Sequence, residues 1–254
     1  MLLAGAVLIC ISCGDGGPRD VTVVADTAIE DPDLFAKVEG DFVAPDRNHF
    51  TAEGFRRFQS GEILHEEEEA VLIGGEAWLN SSEGWRQGSV NDPEIQDRIG
   101  SNPGTSDFWM EFLKTSQLDG LERSEEPVNG VKAEKITTRD MKRFGRLLGA
   151  EEKKLEGVEL EEFTIWLAED GGWPVAMRLI VLSEQYPFQY GGGDDAGVAG
   201  YEIPPKVLHS FHYGFIIATE KQATSETSEE RYRTEVTLAL SQVNDSSISI
   251  SPPE

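Results

Sequence analysis

The residues best suited to proton transfer or metal binding are four histidines and several acidic runs. His209 and His212 lie three residues apart on a predicted strand, where their side chains point to opposite faces and cannot share one metal ion. The run Glu66–Glu69 also alternates between faces, so at most two of its carboxylates converge. We interpret this run as a solvated strand edge whose charge opposes aggregation, because calcium sites favour Asp-rich loops. The sequence therefore nominates no metal ion and no cofactor.

Motifs for nucleophilic or phosphate chemistry are absent from the sequence. There is no Gly-x-Ser-x-Gly, Walker A or His-Glu-x-x-His motif. Both cysteines, Cys10 and Cys13, lie in the first thirteen residues, so the folded body offers no thiol nucleophile. Asp194-Asp195 lies in a glycine-rich loop without the rest of a calcium-loop pattern, and no spacing nominates a carboxylate pair for glycoside hydrolysis. We expect a non-enzymatic protein and keep a hydrolase of unknown type as a third alternative.

Composition limits the remaining classes of function. The 254 residues carry a formal net charge of −25, which argues against binding to nucleic acid and against electrostatic docking on anionic lipid. A hydrophobic content of 39% is enough for a core, and 26 glycines with 12 prolines suit a fold with many turns. The chain length fits one large β-rich domain or two small ones.

The N-terminus carries a strong local signal. Met1–Ser12 is apolar and uncharged, too short to span a bilayer but long enough for the core of a signal peptide. Ser12 is the small residue that a bacterial lipobox requires before its diacylated cysteine, and Gly14–Pro18 would form a flexible tether. We predict a signal peptide with lipobox over 1–12, lipidation at Cys13, a tether over 13–20 and a single domain over 21–254. An ordinary buried N-terminal segment is the alternative.

A lipidated Cys13 would fix the protein outside the cytoplasm. Two acyl chains, each CH₂ worth about 0.8 kcal/mol when buried, hold a protein stably on a membrane. The predicted location is therefore extracytoplasmic, anchored to the cell membrane through the N-terminus. Cys10 is the lesser candidate, because the bulky Ile9 precedes it.

The stretch Phe163–Leu182 predicts a long β-hairpin that turns at Glu169–Trp173. Asp170-Gly171-Gly172 supplies residues suited to the positive φ of such a turn. A strand with one wet face alternates between apolar and polar residues, whereas this hairpin is largely apolar on both faces. Something must therefore cover each face. Either helices pack there, or one face lines an apolar cavity.

Short strands and turns dominate the rest of the chain. Strands are predicted over 20–25, Leu34–Val43, Arg47–Phe58, Glu62–Ile73, Glu76–Asn80, from Trp85, and over Leu118–Glu126, Gly130–Thr138, Lys206–Ala218 and Arg231–Val243. Helices are predicted from Ser106 or Asp107 to Ser116 and over Arg139–Leu155. This order predicts an α+β, mostly β fold in which two helices lie across one antiparallel sheet.

Several segments, in this order and together with the lipobox, resemble the bacterial LolA/LppX-like lipoprotein-carrier superfamily, in particular LppX/LprAFG-like lipoproteins. They are Gly40–Arg47, Ala70–Trp78 with Trp85 beyond it, Trp166–Val175 and Val243–Pro253. The resemblance implies a strongly curved antiparallel sheet, a half-open β-barrel, whose concave face is covered by helices over a space that holds acyl chains. In the LolA branch an arginine precedes the strand-end proline, whereas Ala44 precedes Pro45 here. This difference favours a membrane-tethered carrier or sensor of the LppX or RseB kind.

The hairpin and the helices would supply the apolar lining of such a space. An acyl chain of about sixteen carbons gains roughly 12 kcal/mol on leaving water, at about 0.8 kcal/mol per CH₂. The candidate lining residues are Phe108, Trp109, Phe112, Leu113, Phe144, Phe163, Ile165, Trp166, Leu167, Met177 and Leu179. The alternative is that these side chains fill a conventional core by packing on each other.

The sequence thus predicts a lipid-anchored, non-enzymatic carrier or chaperone. Its predicted partners are the acyl chains of a lipid or a lipidated protein, and the membrane through the N-terminal anchor. The alternative is an envelope sensor or interaction module on the same scaffold, with a closed core and a protein partner.

Overall fold

The computed structural model describes residues 27–95 without 45, 59, 82 and 94, and then 121–147, 157–184, 209–223 and 230–253. These residues form eleven strands of one sheet and a short helix. The strands are β1 (Leu34–Val43), β2 (Arg47–Arg57), β3 (Ile63–Ile73), β4 (Glu76–Ser81), β5 (Gly84–Ser89), β6 (Glu122–Val128), β7 (Val131–Thr138), β8 (Val158–Ala168), β9 (Pro174–Ser183), β10 (Ser210–Ala223) and β11 (Glu230–Ser241). The helix, α1, is Met141–Leu147.

The sheet is antiparallel and open. Its strand order is β5-β4-β3-β2-β1-β10-β11-β9-β8-β7-β6. Two meanders, β1 to β5 and β6 to β9, are joined through the β10–β11 pair. The mostly β, antiparallel fold is confirmed. The strong curvature and the cover by two helices remain predictions.

Alternation of residue types located the strands well. β1 has the predicted bounds, and β2 and β3 differ from prediction by one residue at one end. The predicted hairpin turn is confirmed, with φ of 86° at Gly171 and 66° at Gly172. β8 begins before the predicted Phe163, at Val158.

Other predicted boundaries were wrong. β6 continues through Pro127 to Val128, and the tight turn holds only Asn129 and Gly130, with φ of 48° and 79°. Proline is tolerated in β6 because this strand is the edge of the sheet. β10 begins at Ser210, so His209 lies outside the strand.

Parts of several predicted elements lie outside the described residues. These are the predicted strand 20–25, the predicted helix ending at Ser116 and residues 148–155 of the second predicted helix. Cys13 also lies outside them. Within the residues that are described, no helix has the length and apolarity needed to cross a membrane.

Helix α1 packs on one face of the sheet, which we call the helix face. The carboxylate of Asp140 caps α1 by accepting the N–H groups of Lys142 and Arg143, at 2.9 and 3.2 Å. The buried ring of Phe144 lies 5.0 Å from the ring of Phe163. The main apolar cluster of the protein lies on this face. Among its buried members are Val38, Phe42, Phe50, Phe163, Ile165, Met177, Phe211, Tyr213, Val236 and Leu238.

The other face of the central strands, which we call the opposite face, is also buried. Ala176, Ile180 and Ala218 are almost inaccessible there. Near β3 and β4, Ile250 packs on Val71 and Trp78, which brings the C-terminal segment onto the sheet. The double burial predicted for the hairpin is confirmed, since its side chains on both faces exclude water.

Gly40 opens the space in which Tyr213 packs on the helix face. The Tyr213 hydroxyl donates a buried hydrogen bond of 3.0 Å to Asn48 Oδ1. A Cβ added to Gly40 would lie 2.6 Å from the carbonyl oxygen of His49 and 2.7 Å from the Tyr213 hydroxyl. Neither the backbone oxygen nor the buried phenol can move away freely. The absence of a side chain at residue 40 is therefore required by the packing of β1 between β2 and β10.

On the opposite face, a buried carboxylate binds the chain at residues 27 and 28, which we call the strap. Glu235 is 1% exposed and accepts hydrogen bonds from Arg178 Nε (2.8 Å), the Ala28 N–H (2.9 Å) and the Thr27 hydroxyl (3.2 Å). Arg178 is the only charged residue of β9. Because an unpaired buried carboxylate is costly, the guanidinium and the strap together make this burial tolerable.

We expect Gly40→Ala to lower the free energy of unfolding by about 2–3 kcal/mol, because the new methyl group overpacks a rigid site. The matched control is Gly214→Ala in the adjacent β10, where an added Cβ meets nothing within 4 Å. This control should stay within about 1 kcal/mol of the parent, or exceed it, since alanine suits a strand better than glycine. Urea titration measures both, and equal midpoints would contradict the packing account.

We expect Arg178→Met to cost about 3 kcal/mol of unfolding free energy, because it leaves the Glu235 carboxylate buried without its cation. The control is Arg231→Met on the same face of β11, whose exposed pair with Glu159 (3.3 Å) should be worth less than about 1 kcal/mol. Thermal and urea unfolding compare the two. A cost for Arg178→Met no larger than that of the control would show that Glu235 does not need this partner.

Candidate functional site

Most of the predicted lining residues that are described meet on the helix face. The sheet register places Phe163 opposite Leu179 and Ile165 opposite Met177. Leu167 and Phe144 belong to the same cluster. The predicted members Phe108, Trp109, Phe112 and Leu113 lie outside the described residues.

The helix face is uncharged at the centre of the sheet. Register and side-chain alternation place only neutral residues there, along β1, β8 and β9 and from Phe211 to Thr219 in β10. Charges on this face lie at the sheet end, where Lys221 pairs with Glu230, and toward the β3 side, at Arg56, Glu66 and Glu68. The result is an uninterrupted low-polarity surface several strands wide.

The few polar groups on this surface are neutral and paired. The hydroxyls of Thr219 and Thr234 share a hydrogen bond of 2.9 Å, and Tyr213 donates to Asn48. Burial raises the pKa of the Tyr213 hydroxyl, so this phenol stays protonated. These polar groups therefore carry no charge at physiological pH.

Leu179 is the one helix-face side chain of β9 that remains partly exposed. Its neighbours along the strand, Met177 and Val181, are 1% and 8% exposed. Its cross-strand partners, Phe163 on β8 and Val236 on β11, are buried as well. Leu179 is thus a partly accessible apolar side chain among buried neighbours on the helix face.

Trp166 lies on the opposite face, separated by the sheet from the other described candidates. It packs with Val128, Ala133 and Ala176 in a second cluster. The Lys135 ammonium lies 5.5 Å from the centre of its ring, within cation–π range. Its indole Nε1 has no hydrogen-bond partner in the part of the chain that the structure describes.

An acidic depression of about 620 Å³ opens on the opposite face, near the end of β4. It is lined by Lys37, Glu39, Thr51, Ala52, Glu53, Glu67, Glu68, Glu69 and Asn80. The Asn80 amide and the His49 imidazole both contact the Glu69 carboxylate, at 2.8 and 3.0 Å, and they hold the pKa of Glu69 below its usual value. The sequence indicated the run Glu66–Glu69, but not its approach to acidic residues on β1 and β2.

The histidines and acidic residues do not combine into a metal site within the described ranges. His212 Nδ1 lies 2.9 Å from an oxygen of Asp41, its direct cross-strand neighbour. His209 instead donates its backbone N–H to Asn244 Oδ1 at 2.7 Å. These contacts tie the C-terminal turn and β1 to β10 and have no evident chemical role.

No family model matches the chain, and neither does any curated protein. Solved structures do match. LprF from Mycobacterium bovis is 10% identical, with 87% of this chain and 90% of that chain covered and a TM-score of 0.34. The MucA/MucB complex of Pseudomonas aeruginosa is 13% identical, with 87% and 94% covered and a TM-score of 0.22.

A LolA superfamily protein from Nitrosomonas europaea, NE2245, is 7% identical, with 87% and 90% covered and a TM-score of 0.16. Because each TM-score is below 0.5, we take no ligand or partner from these structures.

Proposed function

We propose that this protein is a lipid-anchored extracytoplasmic lipoprotein that binds acyl chains, of a free lipid or of a lipidated protein, on the helix face of its sheet. It acts as a carrier or chaperone without enzymatic activity. The observation that supports this proposal most strongly is the partial exposure of Leu179 among buried apolar side chains, which we interpret as an opening on the helix face.

The energetic basis is the transfer of hydrocarbon out of water. Each CH₂ group gains about 0.8 kcal/mol on burial, so a chain of about sixteen carbons needs a long, continuous apolar surface. The helix face offers this continuity across the central strands, because its polar groups are neutral and already paired. An acyl chain entering at Leu179 would cover the accessible part of this side chain and contact the buried Phe163 and Met177 beside it.

The anchor is supported by sequence alone. The apolar segment Met1–Ser12 followed by Cys13 would place two acyl chains at the start of the mature protein. The glycine-rich residues after Cys13 would let the domain move relative to the membrane. A binding domain held close to a bilayer meets lipid at high effective concentration, which suits exchange of acyl chains.

We expect Leu179→Trp to reduce binding of a fluorescent long-chain fatty acid by roughly tenfold or more, because the indole would fill the opening. The matched control is Leu182→Trp, on the same strand but on the opposite face and also partly exposed, which should bind like the parent. Titration of the full chain, with native mass spectrometry for co-purifying lipid, measures both effects.

The same experiment gives a different outcome if the helix face is a closed core without room for lipid. If side chains already fill the helix face, Leu179→Trp overpacks it and costs about 1–3 kcal/mol, and the parent carries no exchangeable lipid. That pair of results would refute lipid binding and favour an interaction module with a closed core.

We expect Cys13→Ser to release the protein from the membrane fraction of a bacterial host and to abolish incorporation of labelled palmitate, because the acceptor thiol is lost. Cys10→Ser is the control and should remain anchored. Membrane attachment that survives Cys13→Ser, or that is lost in Cys10→Ser, would contradict the predicted lipidation site.

A further inference from the structure

β3 is paired on both sides for only part of its length. β2 pairs with all of it, from Ile63 to Ile73, whereas β4 pairs only with Glu69–Ile73. β4 then ends at Ser81 and the chain turns into β5. Residues 63–67 are all exposed. We call this segment, Ile63–Glu67, the free edge.

Every second residue of the free edge directs its backbone N–H and C=O outward. Phe58 N–H donates to the carbonyl of Glu62 at 2.8 Å, which fixes the phase of the β2–β3 ladder. Since hydrogen-bonded pairs alternate in an antiparallel ladder, Leu64 and Glu66 face β2. Ile63, His65 and Glu67 therefore face away from it. This is the hydrogen-bonding pattern to which an additional strand attaches.

Exposed apolar side chains accompany the free edge. Ile63 is 45% exposed, Leu64 46% and Phe58, at the hairpin end, 41%. They are the large hydrophobic side chains that stand out as exposed among the described residues. They lie on alternate sides of the β2–β3 hairpin, so an added strand would bury apolar area on both of its faces.

The acidic residues around the free edge indicate which charge a partner segment must carry. Glu53, Glu66 and Glu67 have no ion-pair partner in the described residues, and the acidic depression beside them also contains Glu39 and Glu69. Of the nearby cations, Arg57 pairs with Asp31 at 2.8 Å, and Lys37 in the depression pairs with Glu39 at 2.9 Å. The Arg56 guanidinium lies 5.7 Å from the centre of the Phe58 ring. A second copy of this chain would bring another Glu66–Glu69 run alongside this one, and like charges in neighbouring strands are unfavourable.

We propose that the free edge binds an extended, lysine- or arginine-containing segment of another protein by β-strand addition. The backbone of Ile63, His65 and Glu67 would pair with the segment. Alternate basic side chains of the segment would lie toward Glu53, Glu67 and the acidic depression. This surface is separated by four strands from Leu179 on β9 and does not involve the N-terminal anchor, so it can be tested separately from lipid binding.

The test uses the full chain and a fluorescent eight-residue peptide that alternates lysine and valine. His65→Pro removes an outward N–H without breaking the β2–β3 ladder and should weaken binding by at least about tenfold. His65→Val is the matched control, because it loses the same ring contact with Phe55 but keeps the N–H, and it should bind within about twofold of the parent. Fluorescence anisotropy gives the affinities.

Two further measurements keep the test decisive if His65→Pro folds poorly. The double variant Glu53→Gln with Glu67→Gln should bind roughly threefold to tenfold more weakly and lose salt dependence. Peptide should slow amide exchange at His65 and Glu67. Absence of peptide binding, equal binding of a peptide with glutamate in place of lysine, or undiminished binding by His65→Pro would each overturn the proposal.

Discussion

The exclusion of water from both faces of the same central strands is the constraint on which this structure depends. An antiparallel sheet ordinarily has one solvent-exposed face, and apolar and polar residues then alternate along its strands. Here β8, β9, β10 and β11 are buried on both sides. Rings such as Phe163 and Phe215 lie on the helix face, whereas the opposite face combines small residues such as Ala176 and Ala218 with the ring of Trp166.

This constraint determines where polar groups are tolerated. Asn48 with Tyr213, and Thr219 with Thr234, place neutral hydrogen bonds on the helix face. The one ionised group that is fully buried on the opposite face, within the ranges described, is Glu235, and it has both a guanidinium and backbone donors. Glu66 and Glu67, which have no ion-pair partner in the described residues, lie instead on the part of β3 that β4 does not pair with. The protein thus separates a low-polarity surface from an acidic one.

Sequence predicts the strands better than their arrangement. Residue alternation and glycine-containing turns located β1 and the β8–β9 hairpin, because both signals are local. The pairing of β1 with β10 has no local signal, since it joins residues far apart in the chain. The continuation of β6 through Pro127 could not be predicted either, because a proline is acceptable only once the strand is known to be an edge.

The candidate site was predictable in part for the same reason. The lining residues Phe163, Ile165, Met177 and Leu179 follow from period-two alternation, and they do share a face. The partial exposure of Leu179 depends on what covers each neighbour, which alternation does not specify. The role of Arg178 had a usable signal, since a lone charge within an apolar strand requires a buried counter-charge such as Glu235.

The strand order also determines how late in folding the sheet is completed. Each meander consists of local hairpins that can form soon after synthesis, but the seam between them requires β10 and β11. Asp41 and His212, which meet across this seam, are 171 residues apart in sequence. Until the last strands emerge, β1 and β9 present unpaired backbone, and the incomplete chain is at its most vulnerable to misassembly. Closure of the seam is thus a late step of folding, because it needs the last two strands of the sheet.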